Sequence, residues 1–200
     1  MQRRFVLKLK RAPEIARCKS KNGGDAIQRP ATITEGDAYR LELMLEWTDA
    51  QIWRLACETG ARISDILALT CGQLCGRPLT YREQKTRKKR TVRLSDALHE
   101  ELLRWHGHRD VNALAYFSPR SMSKPLNRST YYRRLKKASK TLQIRVSAHS
   151  ARKLYARRVY TATGSIQAVQ ASLGHKYITT TATYLDIDIE RLILDAALET

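Results

Sequence analysis

The sequence predicts a mainly α-helical fold with one small antiparallel β-sheet, an α+β architecture. Apolar residues recur at helical spacing along most of the chain, after residues that favour helix N-termini, and glycines stand where these stretches end. One segment, around Leu79 to Leu94, instead has two short strand-like stretches on either side of a basic turn. A chain of 200 residues with 42% apolar content can bury the core of one ordinary domain.

The net charge of +18 is the strongest global feature of the chain. A balance this basic predicts a polyanionic partner, although charge alone does not separate DNA from RNA or an anionic membrane. No stretch of 18 apolar residues is present to span a bilayer, and the N-terminus lacks the long apolar segment of a secretory signal. An arginine-rich transit peptide is the alternative for the first residues. We therefore expect a cytoplasmic protein with no membrane partner.

Cysteine usage fits a reducing compartment, because no disulfide-framework spacing links the four cysteines: Cys18, Cys57, Cys71 and Cys75. Cys71 and Cys75 with His106 and His108 are an alternative zinc site, but this pattern lacks the usual ligand spacing. We expect the cysteines in the core or in loops, and neither a metal nor another cofactor.

Residues 1–30 are predicted to be a basic N-terminal arm or linker. They hold nine Lys/Arg against two acids, and glycine and proline breakers follow a short apolar alternation. A flexible basic tail and an ordered arm that contacts nucleic acid are both consistent with this composition.

Residues 31–185 are predicted to form the main domain, which begins with three helices. The second helix is expected to end at Gly60, and the third to continue through Leu69. Arg62 then lies beside the N-terminus of the third helix, where backbone N–H groups favour a phosphate. A surface arginine is the alternative. The expected N-caps of these helices are Thr34, Thr48 and Ser64.

The segment from Arg82 to Arg93 carries seven basic residues and one acid, between two predicted strands. A charge run is usually a solvated face, but a hairpin tip this basic is suited to reach along a groove lined by phosphates. The tip residues expected to contact nucleic acid are Arg87, Lys88, Lys89 and Arg90.

After the hairpin, Ser95 is expected to start an amphipathic helix. Its predicted inward residues are Leu98, Leu102 and Trp105. The histidines of this region belong to no motif and are expected at the surface: His99, His106 and His108.

Asn127 to Leu142 predicts a helix with a core side and a basic side. Its apolar stripe consists of Tyr131, Leu135, Ala138 and Leu142. A helix of this kind is typical of a major-groove reader, although any solvated basic helix has the same pattern. The residues expected to contact nucleic acid here are Arg128, Arg133, Lys136 and Lys140.

The stretch from Ser147 to Tyr184 predicts two further helices, each ended by a glycine. His149 and Arg152 are three residues apart and therefore share a helix face. Tyr155 and Tyr160 are expected to be core aromatics rather than nucleophiles.

Five short segments, in this order, resemble the tyrosine recombinase (phage integrase-like) family over about Ile33 to Tyr184. GARISDILAL resembles its first arginine box, QKTRKKRTVRL its basic hairpin, HSAR its H-x-x-R box, LGH its second histidine box and TATYLD its tyrosine segment. Lys88 is the alternative to the hairpin lysine, and Tyr177 is too close to the second histidine box to be the nucleophile. The resemblance assigns catalytic roles to Arg62, Lys85, His149, Arg152, His175 and Tyr184.

The resemblance implies a catalytic domain over residues 31–185 and a site-specific DNA recombinase of the integrase, resolvase or invertase type. In that chemistry the two arginines would bind the non-bridging phosphate oxygens, the two histidines would orient the phosphate, and the lysine would protonate the departing 5′ oxygen. Tyr184 would become a 3′-phosphotyrosine. The resemblance further implies double-stranded DNA as partner, a dimer on each site, a tetramer in synapsis, and a nucleoid-associated protein that needs neither metal nor ATP.

Two features depart from the family pattern. Lys153 stands where a second histidine is frequent, and only about thirty residues precede the domain, as in the short family members that lack a full core-binding domain. A catalytically weak DNA-binding regulator or accessory protein on the same fold, and a type IB topoisomerase, are the alternative functions.

The end of the chain reverses the charge. Leu185 to Thr200 contain five acids and one arginine, a net charge of −4, which leaves +22 for the rest of the chain. We predict that residues 186–200 form a short acidic helix that docks on a partner protein. Its partial apolar face consists of Ile189, Leu192, Ala196 and Leu198.

Overall fold

The structure is a computed structural model, and it describes residues 33–147 and 149–185. The helices are α1 (Glu35–Met44), α2 (Trp47–Thr59), α3 (Ile63–Leu67), α4 (Cys71–Cys75), α5 (Asp96–His106), α6 (Arg128–Thr141), α7 (Ser150–Thr163), α8 (Ile166–Leu173) and α9 (Ile178–Leu185). The strands are β1 (Leu79–Arg82), β2 (Lys89–Val92), β3 (Phe117–Ser118) and β4 (Ser121–Pro125). The predicted α+β class is confirmed. The arm at residues 1–30 and the C-terminal helix at 186–200 lie outside the described residues.

The helix starts are only partly those that the sequence predicts. Thr34 caps α1 by accepting a hydrogen bond from the backbone N–H of Asp37, as predicted. The predictions for Thr48 and Ser64 were wrong: α2 begins at Trp47 and α3 at Ile63, so both hydroxyl residues lie within the first turn rather than at the cap.

The predicted hairpin is confirmed as an antiparallel pair of strands, β1 and β2, with Leu79 opposite Val92 and Arg82 opposite Lys89. A second antiparallel pair, β3 and β4, was not predicted. Its first strand contains two residues, which is too short to leave a period-2 pattern in the sequence.

Predictions for α5 were partly wrong. Leu98 and Leu102 are fully buried, but Trp105 is 47% exposed and packs against Trp47 at a tilted angle, with ring centroids 4.4 Å apart. His99 and His106 are buried rather than at the surface. Each has a polar partner inside the fold: His99 Nε2 lies 3.1 Å from the carbonyl oxygen of Cys75, and His106 Nε2 lies 3.1 Å from Gln51 Oε1. Burial and nearby positive charge lower the pKa of His106 to about 4, which keeps its ring neutral.

The buried residues form two clusters, and the second one supports the C-terminal part of the domain. The large cluster joins α1–α6, β1 and the start of α7. The small cluster consists of Ala156, Val169 and Leu173, with Tyr155, Tyr160 and Tyr184 packed against it. Tyr155 and Tyr160 therefore pack against the core, but both are only partly buried, so the prediction that they are core aromatics is confirmed in part. This packing places α9, and with it Tyr184, against α7 and α8.

Two further sequence expectations concern membranes and zinc. Within the described part of the chain, no helix is long and apolar enough to cross a membrane. Cys71 Sγ lies 3.9 Å from His106 Nδ1, but no group of three or more side chains of the metal-binding kinds is gathered among residues 33–147 and 149–185.

Candidate active site

Arg62 occupies the N-cap of α3, so it lies beside a helix N-terminus as predicted, and its side chain is 24% exposed. Its Nη1 is 3.1 Å from Glu83 Oε2 and 3.9 Å from Asp65 Oδ2, and both carboxylates are buried. The arginine lines a cleft of about 90 Å³ together with residues from α6 and α7, including Arg128, His149 and Arg152.

Arg152 lies in the first turn of α7 and is only 5% exposed. Its guanidinium donates hydrogen bonds to the carbonyl oxygens of Gly60 and Leu173, the latter at 2.6 Å. Gly60 ends α2 in a left-handed conformation (φ 62°), and Leu173 ends α8. Arg152 therefore joins the ends of two helices to a third, while it lines the same cleft as Arg62.

His149 stands at the N-cap of α7, and its Nδ1 lies 2.8 Å from the hydroxyl oxygen of Tyr184. Burial and the positive charges of Arg152 and Arg62 lower the pKa of His149. In the neutral tautomer with its proton on Nε2, the imidazole offers Nδ1 as an acceptor to which the Tyr184 hydroxyl can donate. The contact joins residues 35 positions apart in the chain and pairs a hydroxyl with a base.

The surroundings of Tyr184 favour the protonated form of its hydroxyl group. Burial raises the pKa of its hydroxyl, and the charges of Arg152 and Arg62 oppose this effect without cancelling it. A phenol in this state needs a proton acceptor before it can attack an electrophile. The neutral His149 ring supplies one at hydrogen-bond distance.

His175 follows the glycine that ends α8 and faces the same tyrosine. Its ring centroid lies 5.1 Å from that of Tyr184 in an edge-to-face arrangement, and its Nδ1 lies 3.0 Å from the hydroxyl of Thr181, which is fully buried. Burial, together with the charges of Arg152 and Arg62, lowers the pKa of His175 to about 4. The Thr181 contact fixes the ring, and the low pKa keeps it neutral at physiological pH.

The structure adds one residue that the sequence reasoning missed, Glu83. It is 2% exposed, lies 3.1 Å from Arg62 Nη1 and accepts a short hydrogen bond from the Thr86 hydroxyl. Burial alone would raise the pKa of Glu83, but the contacts with Thr86 and Arg62 and the charge of Arg90 lower it, so the group is a carboxylate. The sequence signal was its position as the one acid among the basic residues from 82 to 93.

Asp65 is the second acid behind Arg62. Its Oδ1 accepts a 3.0 Å hydrogen bond from the backbone N–H of Gln84, while its Oδ2 is buried without a hydrogen bond. Burial raises the pKa of Asp65, against the lowering effect of the Gln84 hydrogen bond and the Arg62 charge. The acid connects α3 to the residue just before Lys85.

Lys85 lies in the turn between β1 and β2, and its side chain is exposed. The turn is closed by backbone hydrogen bonds between Glu83 and Lys88 and between Arg87 and Glu83, both 2.9 Å long. Arg87 adopts a left-handed conformation (φ 60°) at the tip. The structure therefore places Lys85 two residues from the carboxylate that holds Arg62, on an exposed turn.

The predicted DNA-contacting residues divide into two groups. Seven are exposed, on the hairpin tip or on the basic face of α6: Arg87, Lys88, Lys89, Arg128, Arg133, Lys136 and Lys140. Arg90 differs, because its guanidinium donates hydrogen bonds to the carbonyl oxygens of Ala171 and Ser172.

The site combines a buried and a half-buried arginine, two neutral histidines, a phenol hydrogen-bonded to one of them and an exposed lysine nearby. Together these groups can bind an anionic phosphodiester and supply a nucleophile to it. The arginines provide the positive charge, and His149 provides the base. No carboxylate faces the phenol among the contacts of Tyr184 that the described residues show.

Known proteins share this sequence pattern and this fold. The profile of the phage integrase family matches residues 35–191. YoeC, a probable integrase/recombinase of Bacillus subtilis (strain 168), is 30% identical over 129 residues, which cover 64% of this chain and 71% of YoeC.

Solved structures share the fold of this chain. XerA recombinase matches with a TM-score of 0.65 at 22% identity, over 85% of this chain and 65% of the XerA chain, so this chain spans about two thirds of that protein. The catalytic domain of bacteriophage HP1 integrase matches with a TM-score of 0.57 at 26% identity, over 78% of this chain and 87% of that domain. Because the family profile covers more than three quarters of the chain, and the fold and the residue pattern agree with it, the chain belongs to the phage integrase family of tyrosine-type site-specific recombinases.

Proposed function

We propose that this protein cuts and rejoins double-stranded DNA at specific sites through a covalent intermediate on Tyr184. The observation that carries the proposal is the 2.8 Å contact between the Tyr184 hydroxyl and His149 Nδ1, next to a cleft lined by Arg62 and Arg152. The Tyr184 oxygen attacks the phosphorus, its proton passes to His149, and the two arginines stabilise the charge that builds on the non-bridging oxygens.

The leaving group is the 5′ oxygen of the cut strand. Lys85 protonates it as the bond between phosphorus and oxygen breaks, a role worth roughly 10²–10⁴ in rate. The products are a 3′-phosphotyrosine and a free 5′ hydroxyl. Because the phosphotyrosine retains the energy of the original bond, a 5′ hydroxyl from a second DNA can reverse the step without ATP.

The proposed partner is double-stranded DNA, on which copies of the protein assemble. Among structures of similar fold are a lambda integrase dimer bound to a core site and XerH recombinase bound to its difH substrate. We propose the same kind of partner here, with two copies on a site and four in synapsis, and an association with the nucleoid. The exposed basic side chains of the hairpin tip and α6 are the proposed phosphate contacts.

The proposal is tested by trapping the intermediate. The protein is incubated with a library of duplexes that have a randomised core and a nick close to the 3′ side of the candidate bond, so that the cut fragment diffuses away. Covalent adducts are then recovered after denaturation and sequenced, which gives the target at the same time.

Two single-atom changes serve as a matched pair in this assay. Tyr184→Phe should abolish the adduct and leave non-covalent binding nearly unchanged, because it removes only the nucleophilic oxygen. Tyr177→Phe removes the same atom from a side chain that is 59% exposed and lies over Lys176, and the adduct should persist. Binding without any adduct from the unmodified protein would favour the catalytically weak regulator instead.

A further inference from the structure

Among the described contacts of the four tip residues Arg87, Lys88, Lys89 and Arg90, only the Arg90 side chain forms hydrogen bonds within the protein. Its Nη1 donates to the carbonyl oxygen of Ala171 at 3.2 Å, its Nη2 donates to that of Ser172, and its Nε lies 3.8 Å from Glu83 Oε1. All three guanidinium nitrogens therefore have a partner in the fold, and the side chain is only 20% exposed.

The carbonyl acceptors on α8 explain why an arginine is suited to position 90. Ala171 and Ser172 lie in the last turn of α8, where the carbonyl groups carry the negative end of the helix dipole. The Ala171 carbonyl also accepts a 3.1 Å hydrogen bond from the backbone N–H of Gly174, and Arg90 is its second donor. Arg152 takes the next carbonyl, that of Leu173. Two arginines from other elements thus cap three consecutive carbonyls, immediately before Gly174 and His175.

The contacts of Arg90 also reach the other catalytic groups. Glu83, which it faces, lies 3.1 Å from Arg62 Nη1 and accepts a hydrogen bond from Thr86, the neighbour of Lys85. A Cβ built at Gly174 would lie 3.5 Å from Arg90 Nη1 and 4.0 Å from Glu83 Oε1, so the pair fills the space beside the turn that presents His175.

We propose that Arg90 is a positioning residue for the cleavage step and not a DNA contact. With Glu83, it holds the hairpin that carries Lys85 against the end of α8 that carries His175, so that the lysine and the histidine keep a fixed separation. The Arg90 guanidinium already donates hydrogen bonds from both Nη atoms to α8 and forms an ion pair with Glu83, so a DNA phosphate would compete with these contacts. This inference rests on the proposed function, since the step that it serves is the transfer to Tyr184.

The first test needs no DNA and compares Arg90→Gln with Arg93→Gln. Arg93 is exposed and lies just after β2, so its change removes the same charge without touching α8. Amide hydrogen exchange should become faster in Arg90→Gln both in residues 83–88 and at the end of α8, and stay unchanged in Arg93→Gln. Unchanged exchange at either end in Arg90→Gln would overturn the inference, whether or not the protein has recombinase activity.

The second test separates positioning from binding. At saturating nicked DNA, Arg90→Gln should slow adduct formation by roughly 10- to 100-fold, the effect expected when a catalytic group is displaced by about 1 Å. The salt dependence of binding should remain as in the unmodified protein, and a substrate with sulfur in place of the 5′ leaving oxygen should recover most of the rate, because it needs no acid. Arg90→Lys, which keeps the charge but not the three-way contact, should be intermediate.

The opposite pattern would identify a DNA contact: a salt slope reduced by about one unit with a normal rate at saturation. That result would overturn the inference and leave the proposed function intact. Absence of any adduct from the unmodified protein would contradict the proposed function instead, and the exchange measurement would still decide the role of Arg90. If Arg90→Gln does not fold, Arg90→Lys replaces it in both tests with the same two outcomes.

Discussion

Burial lowers the pKa of both histidines of the site, and the charges of Arg152 and Arg62 lower them further. An imidazolium would add a third positive charge beside the two arginines, and the fold resists it. We therefore propose that His149 acts as a base in the reaction, since its Nδ1 lies 2.8 Å from the Tyr184 hydroxyl oxygen. A lower pKa in the folded state also makes the stability of the protein depend on pH.

His175 gives the clearest pH prediction. Its pKa is about 4 in the folded state against an ordinary value of 6.5, so the unfolded chain takes up a proton first as the pH falls. The stability that the neutral ring contributes is fully present above about pH 6.5 and is lost progressively towards pH 4. We expect His175→Gln to reduce the loss of unfolding free energy between pH 7.5 and pH 4.5, measured by urea denaturation. An identical loss in both proteins would show that His175 titrates normally.

Two glycines with left-handed backbones provide a matched pair for stability. Gly60 has φ 62° and Gly164 has φ 66°, so alanine is strained at both positions by about 1 kcal/mol. An added Cβ at Gly164 meets nothing within 4 Å, whereas at Gly60 it would lie 2.3 Å from Cδ1 of Tyr155.

We therefore expect Gly164→Ala to destabilise the protein by about 1 kcal/mol and Gly60→Ala by about 2–4 kcal/mol, since the second adds overpacking to strain. Because the Gly60 carbonyl accepts a hydrogen bond from Arg152, the second change should also lower activity at temperatures where the protein stays folded. Thermal and urea unfolding measure the first effect, and adduct formation measures the second. Equal destabilisation by the two changes would mean that the Tyr155 ring moves freely.

At the scale of elements, we propose that the β1–β2 hairpin has both a catalytic role and a DNA-binding role. Lys85 and Lys89 are both exposed and carry the same charge, but they lie on opposite sides of the turn. If both only bind phosphate, neutralising either one should reduce the steep salt dependence of DNA binding by about one unit.

Lys85→Ala should do more than Lys89→Ala. It should slow cleavage equally whether or not binding is saturated, and a substrate with a better 5′ leaving group should restore the rate, because that substrate does not need an acid. Single-turnover adduct formation with both substrates measures this. Indistinguishable behaviour of the two variants would place the general acid elsewhere, with Lys88 as the next residue to test.

The elements also show what the sequence could and could not predict. Amphipathic helices with strong periodicity and the hairpin were predictable, because local spacing alone determines them. The second sheet was not predictable, because a strand of two residues leaves no local signal in the sequence. The starts of α2 and α3 were not predictable either, because a hydroxyl residue near a helix start does not determine whether the helix begins after it or just before it.

Long-range contacts account for the other failures. His106 is buried because Gln51, 55 residues earlier, gives its ring a polar partner. Trp105 instead packs against Trp47 at the surface. The roles of Glu83 and Arg90 were missed for the same reason. Glu83 pairs with Arg62 at the start of α3, and Arg90 binds the end of α8, and both partners are distant in sequence. The residues that the family motifs name were predictable individually, whereas the contacts that hold them were not.

At the scale of the whole molecule, the charge is divided unevenly along the chain. Residues from Leu185 to the end carry −4, against +22 for everything before them, and the acidic segment begins directly after the proposed nucleophile. A segment of that charge is attracted to basic surface, either on its own domain or on a neighbouring copy. On its own domain it would act as a local lid over the site. On a neighbour it would couple the position of Tyr184 to assembly, so that cleavage waits for a partner.

We favour the second arrangement, and deletion of Asp188–Thr200 distinguishes the two. The truncated protein should bind a single half-site normally but lose cooperative assembly and recombination between two full sites, measured by gel shift and by product formation. Because the deletion also removes acidic charge, which by itself strengthens binding to DNA, a full-length protein with Ile189→Ser and Leu192→Ser serves as the control. It keeps every charge and removes part of the apolar face, so it should lose assembly as the deletion does. Recombination at the normal rate by both variants would leave the segment as a lid or a chain end with no role in docking.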